Sequence, residues 1–577
     1  MLLVAALIYL PPVFSPPHLM DDVDAVQAQI ARNMLESGDW VTPRLNGVVY
    51  LEKAPLPYWL MAACFAVFGV HDWAARLPLA VAIIALCWVT CRIGQWALSA
   101  AVGSFAGLAL ASSVGLFLFT RILIPDCMLT LCITLALWFF LRLLEDSRRL
   151  WAHALAVTLA AAVLLKGLIG LLFPLAAAGL YVLLARPLTW SQLWRRLHVP
   201  SSATLFLLLA APWHLLATLR NPPYLDFTMR SEPGQYHGFF WFYFLNEHLF
   251  RFLNMRHPRD YNTVPRLWFW VLHLVWLFPF SAFLHGLAKL NYRPVDLAGR
   301  VRVLALCWIG FVLLFFSFST TQEYYSLPIY PALALLLGSA LADNHPWLRW
   351  GWRTLTALCA LCASACAVLW LAVRDLPTPG DISQALTQHP EAYTLSLGHM
   401  GDLTVHSFAY LRLPLLLAAL ALTLGCWAGV RRSPCTLASM MVVFFTAARL
   451  AMVTFDPYLS SYPLAEALKR TPPGRLIVDN QYYAFSSVFF YAHERARGAL
   501  LLNGRVNNLE YGSYAPGAPA VFMTDAELPS LWSSPQRVYL LAERPRVEQL
   551  RRLTNGALFL VAQAGGKFLF TNHALSD

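Results

Sequence analysis

The sequence has little charge and less acid than base. Charged residues make up 13% of its 577 positions, and 31 Asp and Glu stand against 42 Lys and Arg. Soluble domains carry about 25% charged residues, so an ordinary soluble fold is excluded. Disulfide scaffolding is absent too: the eleven cysteines all precede residue 436, most inside apolar runs, with no paired set in any intervening loop. Cys359, Cys362 and Cys366 share one helical face within such a run and read as small packing residues. No zinc signature and no glycine-rich phosphate loop is present. The excess of 11 positive charges is divided among separate short loops rather than gathered into a stripe, which argues against nucleic-acid binding.

What is abundant is apolar residues, at 58%, with 14% aromatics. A bilayer core needs about 20 apolar residues per helix, and thirteen runs meet or approach that length. They lie near 1–17, 73–97, 101–119, 122–144, 151–165, 168–185, 200–219, 266–288, 300–318, 326–342, 351–373, 410–430 and 435–455. The first is read as a retained helix rather than a cleaved signal, and Lys166-Gly167 leaves open one interrupted helix or two. Arg and Lys cluster in every second connection, from Arg92 and Arg148–Arg149 to Arg431–Arg432, which places those connections in the cytoplasm. The segments 18–72, 220–265 and 374–409, and everything after the last span, then face outward. The fold class expected is a polytopic α-helical membrane protein of about 13 helices, residues 1–455, with a C-terminal soluble α/β domain, residues 456–577. In the latter, "GRLIVDN" and "QRVYLLAE" read as strands, "RPRVEQLRRL" as a helix, and "ALFLVAQAGGKFLFTN" as a hairpin turning at Gly565-Gly566.

The outer loops hold the informative residues. Asp21, Asp22 and Asp24 follow the first span, and Val26, Ile30 and Met34 at helical spacing behind them suggest a short helix along the interface. One Asp would cap that helix; three at a membrane edge also suit a catalytic carboxylate or a cation site. Further on come "MLESGDWVTPRLNG", "YLEKAPLPYW", "FGVHDWAARLPLA", "RILIPD", "LLKG", "NEHLFRF", "FSFSTTQEYYSLPIYPALALL" and "NGRVNNLEYGSYAPGAP". In that order, over nearly the whole chain, they resemble the polyprenyl-phosphate-dependent glycosyltransferases of the GT-C fold. The lipid A aminoarabinose transferases and, more distantly, the protein O-mannosyltransferases are members.

The resemblance implies inverting transfer of a hexosyl or pentosyl unit from a polyprenyl-phosphate-linked sugar to a lipid or glycolipid acceptor such as lipid A. It implies a bacterial inner membrane location, with the active site and C-terminal domain in the periplasm. It puts Lys53 and Arg251 at the carrier phosphate, with Tyr325 as a hydrogen-bond donor. Fixed cations there suit a leaving group that gains negative charge. A carboxylate accepts or orients the acceptor's proton, with Asp24 and Asp22 leading and Asp21 beside them. Asp126 resembles a second family carboxylate, and Lys166 a contact for an anionic acceptor. Simpler roles stand beside these: capping for Asp126, snorkelling for Lys53, anchoring for Lys166, and holding Arg251 for Glu247. Glu52 and His248 leave a divalent cation open, but no obligate cofactor is expected, since two ligands do not define a site. The aromatic stretch 237–250 reads as a mobile interfacial loop. A protein or glycan acceptor is the alternative within the fold. A lipid-linked sugar flippase is the rival of another class; it lacks the expected mid-bilayer charges and internal repeat.

Overall fold

The computed structural model describes residues 1–258, 263–343, 345–389, 398 and 400–574. Parts of the expected outer loops 220–265 and 374–409 therefore lie outside the described residues. Among the described residues, nine helices are long and apolar enough to cross a membrane, or up to eleven if each of two bent pairs counts as one span. The thirteen expected runs reduce to these because two are short, Leu2–Val13 and Ile169–Ala185. Two others break: Ala100–Ala111 and Val114–Thr120 meet at 49°, and Arg266–Trp276 and Phe280–Lys289 at 100°. Periodicity counts apolar residues and does not see such bends.

Helices Asp72–Ala97, Ala100–Ala111 and Tyr330–Ala342 form a tight packing centre. A Cβ on Gly94 would lie 2.6 Å from Gly103 Cα, and one on Gly338 2.7 Å from Ala106 N. Small residues are required there because the backbones nearly touch, as is common between membrane helices. Side-chain caps fix several helix starts: Ser99 accepts from Val102 N–H, Asp296 from Gly299 N–H and Ser433 from Thr436 N–H.

A hairpin of β1 (Arg44–Leu45) and β2 (Val48–Val49) turns at Asn46-Gly47, both with positive φ, the favoured two-residue turn. The C-terminal region builds one sheet from β3 (Arg475–Asp479), β4 (Leu500–Leu502), β5 (Phe522–Met523), β6 (Val538–Glu543), β7 (Phe559–Ala564) and β8 (Lys567–Thr571). Its order is β5-β4-β3-β6-β8-β7, parallel through the first four strands and antiparallel at β8 and β7. Both expected strands, the helix Val547–Leu553 and the Gly565-Gly566 hairpin are present. Strands β4 and β5, too short for a sequence pattern, complete the sheet. Ile477, Leu500, Leu502 and Leu540 on one face form a separate core. Leu476, Val478, Leu501 and Tyr539 on the other join the cluster that runs into the helical bundle. The sheet is thus packed against the bundle on one side.

The helix Asp24–Ser37 occupies that junction. Val26, Ile30 and Met34 do form its apolar face, but they are fully buried, between the helices Leu56–Phe68 and Ser486–Tyr491, rather than lying on an interface. Asp21, singled out with Asp22 and Asp24, does not line the candidate active-site cavity and is buried at this junction. Its carboxylate is paired with Lys567 Nζ at 2.7 Å and accepts from Ser461 Oγ at 2.6 Å and Ser487 N at 2.7 Å, while Lys567 also donates to Ala484 O. It joins the first loop to the sheet. Breaking a buried pair by removing one partner costs about 3–5 kcal/mol, so Lys567→Met should lower the unfolding midpoint of detergent-solubilised protein by several degrees. An unchanged midpoint would show that the pair carries no net stability.

Candidate active site

A cavity of about 370 Å³ opens where the segment after the β1–β2 hairpin meets the ends of several helices. It brings together Lys53, Arg251, Tyr325, Lys166, Asp126, Glu52 and His248, seven of the residues singled out from the sequence. Lys53 follows the β1–β2 hairpin. Asp126 begins the helix Asp126–Glu145, and Lys166 ends Arg149–Lys166. Gly167, with φ of 71°, then turns the chain into Ile169–Ala185, so the Lys166-Gly167 break separates two helices. A Cβ on Gly167 would lie 2.1 Å from His248 Nε2, so both backbone angle and space demand glycine.

Three cations and three carboxylates line this cavity, each cation beside a carboxylate. Lys53 pairs with Glu52. Arg251 Nη1 lies 2.8 Å from Glu247 and 3.6 Å from Glu52. Lys166 Nζ is 2.5 Å from Asp126 and sits 5.2 and 5.1 Å from the ring centroids of Tyr324 and Tyr325. Glu52 is the hub. Its other oxygen accepts from Tyr50 Oη and, at 2.6 Å, from Asn508 Nδ2 of the C-terminal region. Burial alone would raise the Glu52 carboxyl, but Lys53, Arg256 and Arg251 outweigh it and hold it well below the usual range. Burial likewise opposes the charge on Arg251, yet Tyr325, Glu247 and Glu52 beside it raise its pKa. The cations are therefore fixed before any anion arrives, which is the preorganisation that charge stabilisation requires.

The stretch 241–250 departs from the expected mobile loop: Trp241–Phe250 is a π-helix, a form frequent at functional sites. It carries Glu247 and His248 into the cavity. His248 Nδ1 is 2.6 Å from Tyr243 O, and Nε2 accepts from Leu168 N–H at 3.0 Å, an arrangement that uses both ring nitrogens. Burial pushes its pKa down, keeping it neutral. Glu52, meanwhile, is taken up by Lys53, Tyr50 and Asn508. Among the described residues no group of three or more His, Cys, Asp or Glu could hold a metal ion. Glu52 and His248 thus serve other partners here.

Asp22 and Asp24 do not line this cavity. Asp22 is exposed, with φ of 74° and its N–H donating to Tyr483 O. Asp24, 1% exposed, accepts from Leu123 N–H at 2.8 Å. Burial raises its carboxyl pKa despite the opposing effect of Arg76. The segment Arg121–Asp126 thus has Asp24 bound on one side and presents Asp126 to the cavity on the other. Two members of the network around Glu52 and Glu247 escaped sequence reasoning: Arg256 and Asn508. Arg256, fully buried, bonds Glu247 and, at 2.6 Å, Asn508. Asn508 lies in the quoted "NGRVNNLEYG" and could have been found there; nothing in the sequence around Arg256 points to it.

The family described as "Dolichyl-phosphate-mannose-protein mannosyltransferase" matches residues 52–215. The structure of ArnT from Cupriavidus metallidurans bound to undecaprenyl phosphate superposes with a TM-score of 0.78 over 99% of this chain and 97% of that one, at 21% identity. The chain has the GT-C glycosyltransferase fold. Curated relatives are more similar in sequence over a shorter span. An undecaprenyl phosphate-alpha-4-amino-4-deoxy-L-arabinose arabinosyl transferase of Aeromonas salmonicida is 28% identical over 349 residues, 58% of each chain. One from Sodalis glossinidius is 31% identical over 362 residues, also 58% of each. The chain thus matches somewhat under three fifths of the length of these relatives.

Proposed function

We propose that this protein transfers a sugar from a polyprenyl-phosphate carrier to a lipid or glycolipid acceptor such as lipid A, with inversion, at the periplasmic face of a bacterial inner membrane. The observation that carries the proposal is the cavity in which Lys53, Arg251 and Tyr325 converge beside apolar walls that include Phe173, Phe252 and Phe315. Such a site suits a phosphate attached to an isoprenoid chain. The named activity of the curated relatives and the undecaprenyl phosphate bound to the structural neighbour support the same chemistry.

In this reading the carrier phosphate draws Lys53 and Arg251 partly away from Glu52 and Glu247, and the two cations stabilise the charge left as the glycosidic bond breaks. Tyr325 donates to a phosphate oxygen. The acceptor enters beside Lys166, and Asp126, the Asp within the cavity, accepts or orients its proton. Asp24 acts as a positioning residue through Leu123. No divalent cation is required, because Lys53 and Arg251 already supply positive charge. The match to protein mannosyltransferases keeps a protein acceptor as the second reading.

Purified protein reconstituted with polyprenyl-phosphate-linked aminoarabinose, and separately with a hexose, should add a sugar-sized mass to lipid A. Addition to a peptide but to no lipid would favour the second reading. Release of neither product, with carrier-linked sugar moved across the bilayer unchanged, would replace transfer by transport.

A further inference from the structure

At the end of the bundle away from the transfer cavity, one arginine is held by tryptophans. Asp126, which lines that cavity, begins the helix Asp126–Glu145, and Arg142 lies in its last turn, about 24 Å further along at about 1.5 Å per residue. Its Cζ is 4.4 Å from the ring centroid of Trp96, 5.6 Å from that of Trp138 and 5.3 Å from that of Trp151. The three indoles come from three helices, Asp72–Ala97, Asp126–Glu145 and Arg149–Lys166. A snorkelling arginine ends free in water, whereas this one is fixed. Its Nε is buried against the indoles without an acceptor, and among the described residues Arg142 makes no hydrogen bond or ion pair. Nε alone of the three guanidinium nitrogens is shut in, so the Nη edge of this half-buried side chain stays open.

The acids nearby are already engaged: Glu145 pairs with Arg300 at 2.5 Å and Asp146 with Arg148 at 2.8 Å. The charged groups that act on Arg142 are Asp146 and, with like charge, Arg92. Arg92 is exposed on the neighbouring helix and donates to Gln95 Oε1 at 3.1 Å. Two like charges side by side, neither paired with a carboxylate among the described residues, call for an anion. Behind them both helices turn apolar on the same face. Leu131, Leu135 and Trp138 are half-buried at i, i+4 and i+7, with Arg142 at i+11. Val81 and Trp88, 58% and 46% exposed, stand at i and i+7 with Arg92 at i+11. Trp96 and Trp138, with ring centroids 6.5 Å apart, join the two stripes. From Arg142 to Leu131 the stripe runs about 16 Å, close to half of a bilayer core of about 30 Å.

We propose that this face binds an anionic phospholipid of the leaflet away from the transfer cavity, its phosphate on Arg142 and Arg92 and an acyl chain along Leu135, Leu131 and Trp88. A guanidinium suits a phosphate because its planar fork presents parallel N–H groups, and the indoles keep that fork aimed before the lipid arrives. Interfacial aromatics and basic side chains between membrane helices are the usual elements of headgroup recognition. The site shares no residue with the transfer cavity and does not depend on the proposed activity.

Native mass spectrometry of the full chain, in nanodiscs of phosphatidylcholine with added phosphatidylglycerol, reads the site without any sugar donor. Wild type should retain phosphatidylglycerol over phosphatidylcholine, and Arg142→Gln should weaken that retention about tenfold, the loss of one charge-assisted contact. Arg92→Gln leaves the indole cage intact, should act in the same direction, and covers the case in which Arg142→Gln does not fold. Arg349→Gln, which removes an equal charge at the start of the helix Leu348–Val373, should keep wild-type retention. Equal retention of the two lipids, retention unchanged in either folded variant of Arg142 or Arg92, or a loss in Arg349→Gln as large as in Arg142→Gln would overturn the proposal. Displacement of the lipid by millimolar inorganic phosphate would assign the site to a free anion and also overturn it.

Discussion

Lys53→Ala should reduce sugar transfer by about a hundred- to a thousandfold, the usual loss when one preorganised charge-stabilising group is removed. The variant should remain folded, because Lys53 is partly exposed and its pair with Glu52 is one of several contacts that Glu52 makes. Lys53→Arg should recover only part of the rate, since a guanidinium cannot place its charge where the shorter ammonium lay. Arg251→Ala should combine a similar kinetic loss with lower stability, because it strands Glu247 beside Arg256 alone. The measurement is transfer from a polyprenyl-phosphate-linked sugar in reconstituted membranes, alongside the unfolding midpoint. A Lys53→Ala enzyme with wild-type kcat/KM would remove Lys53 from the carrier phosphate.

The second large effect separates the carboxylates. Asp126→Asn should lower transfer by about a hundredfold or more, the range for a positioned acid or base. Asp24→Asn keeps an oxygen able to accept from Leu123 N–H and should retain much of the rate, whereas Asp24→Leu, which cannot, should lose most of it. Asp22→Asn, on an exposed side chain, should change little. If Asp24→Asn proves as inactive as Asp24→Leu, the charge on Asp24 is what matters, and the Arg121–Asp126 segment must open during turnover. Rates for the variants, each with its unfolding midpoint, distinguish these outcomes.

The lining of the cavity was legible because its residues lie in short quoted stretches next to helix ends: Lys53, Arg251 and Tyr325, singled out from the sequence, all face it. Asp24 was not, because its location depends on the fold of Arg121–Asp126, a contact between residues 99 apart. The surroundings of Asp21 were hidden for a related reason: its partner Lys567 lies 546 residues away. The aromatic stretch 237–250 reads from sequence as a mobile interfacial loop, yet Trp241 and Phe242 are almost fully buried against Tyr511. Composition indicated aromatic packing but could not say whether lipid or protein supplied the other surface.

The pairing of Asp21 with Lys567 also sets an order of events during biosynthesis. A nascent chain must lengthen by 546 residues after Asp21 before its counter-ion exists, although Ser461 and Ser487, which also bond its carboxylate, are made earlier. Asn508 reaches Glu52 across 456 residues in the same way. The bundle can thread the membrane helix by helix, but Glu52 gains its Asn508 contact only after the last membrane helix has been made. A ribosome stalled before β8 would thus leave a membrane-inserted intermediate whose buried Asp21 has no counter-ion.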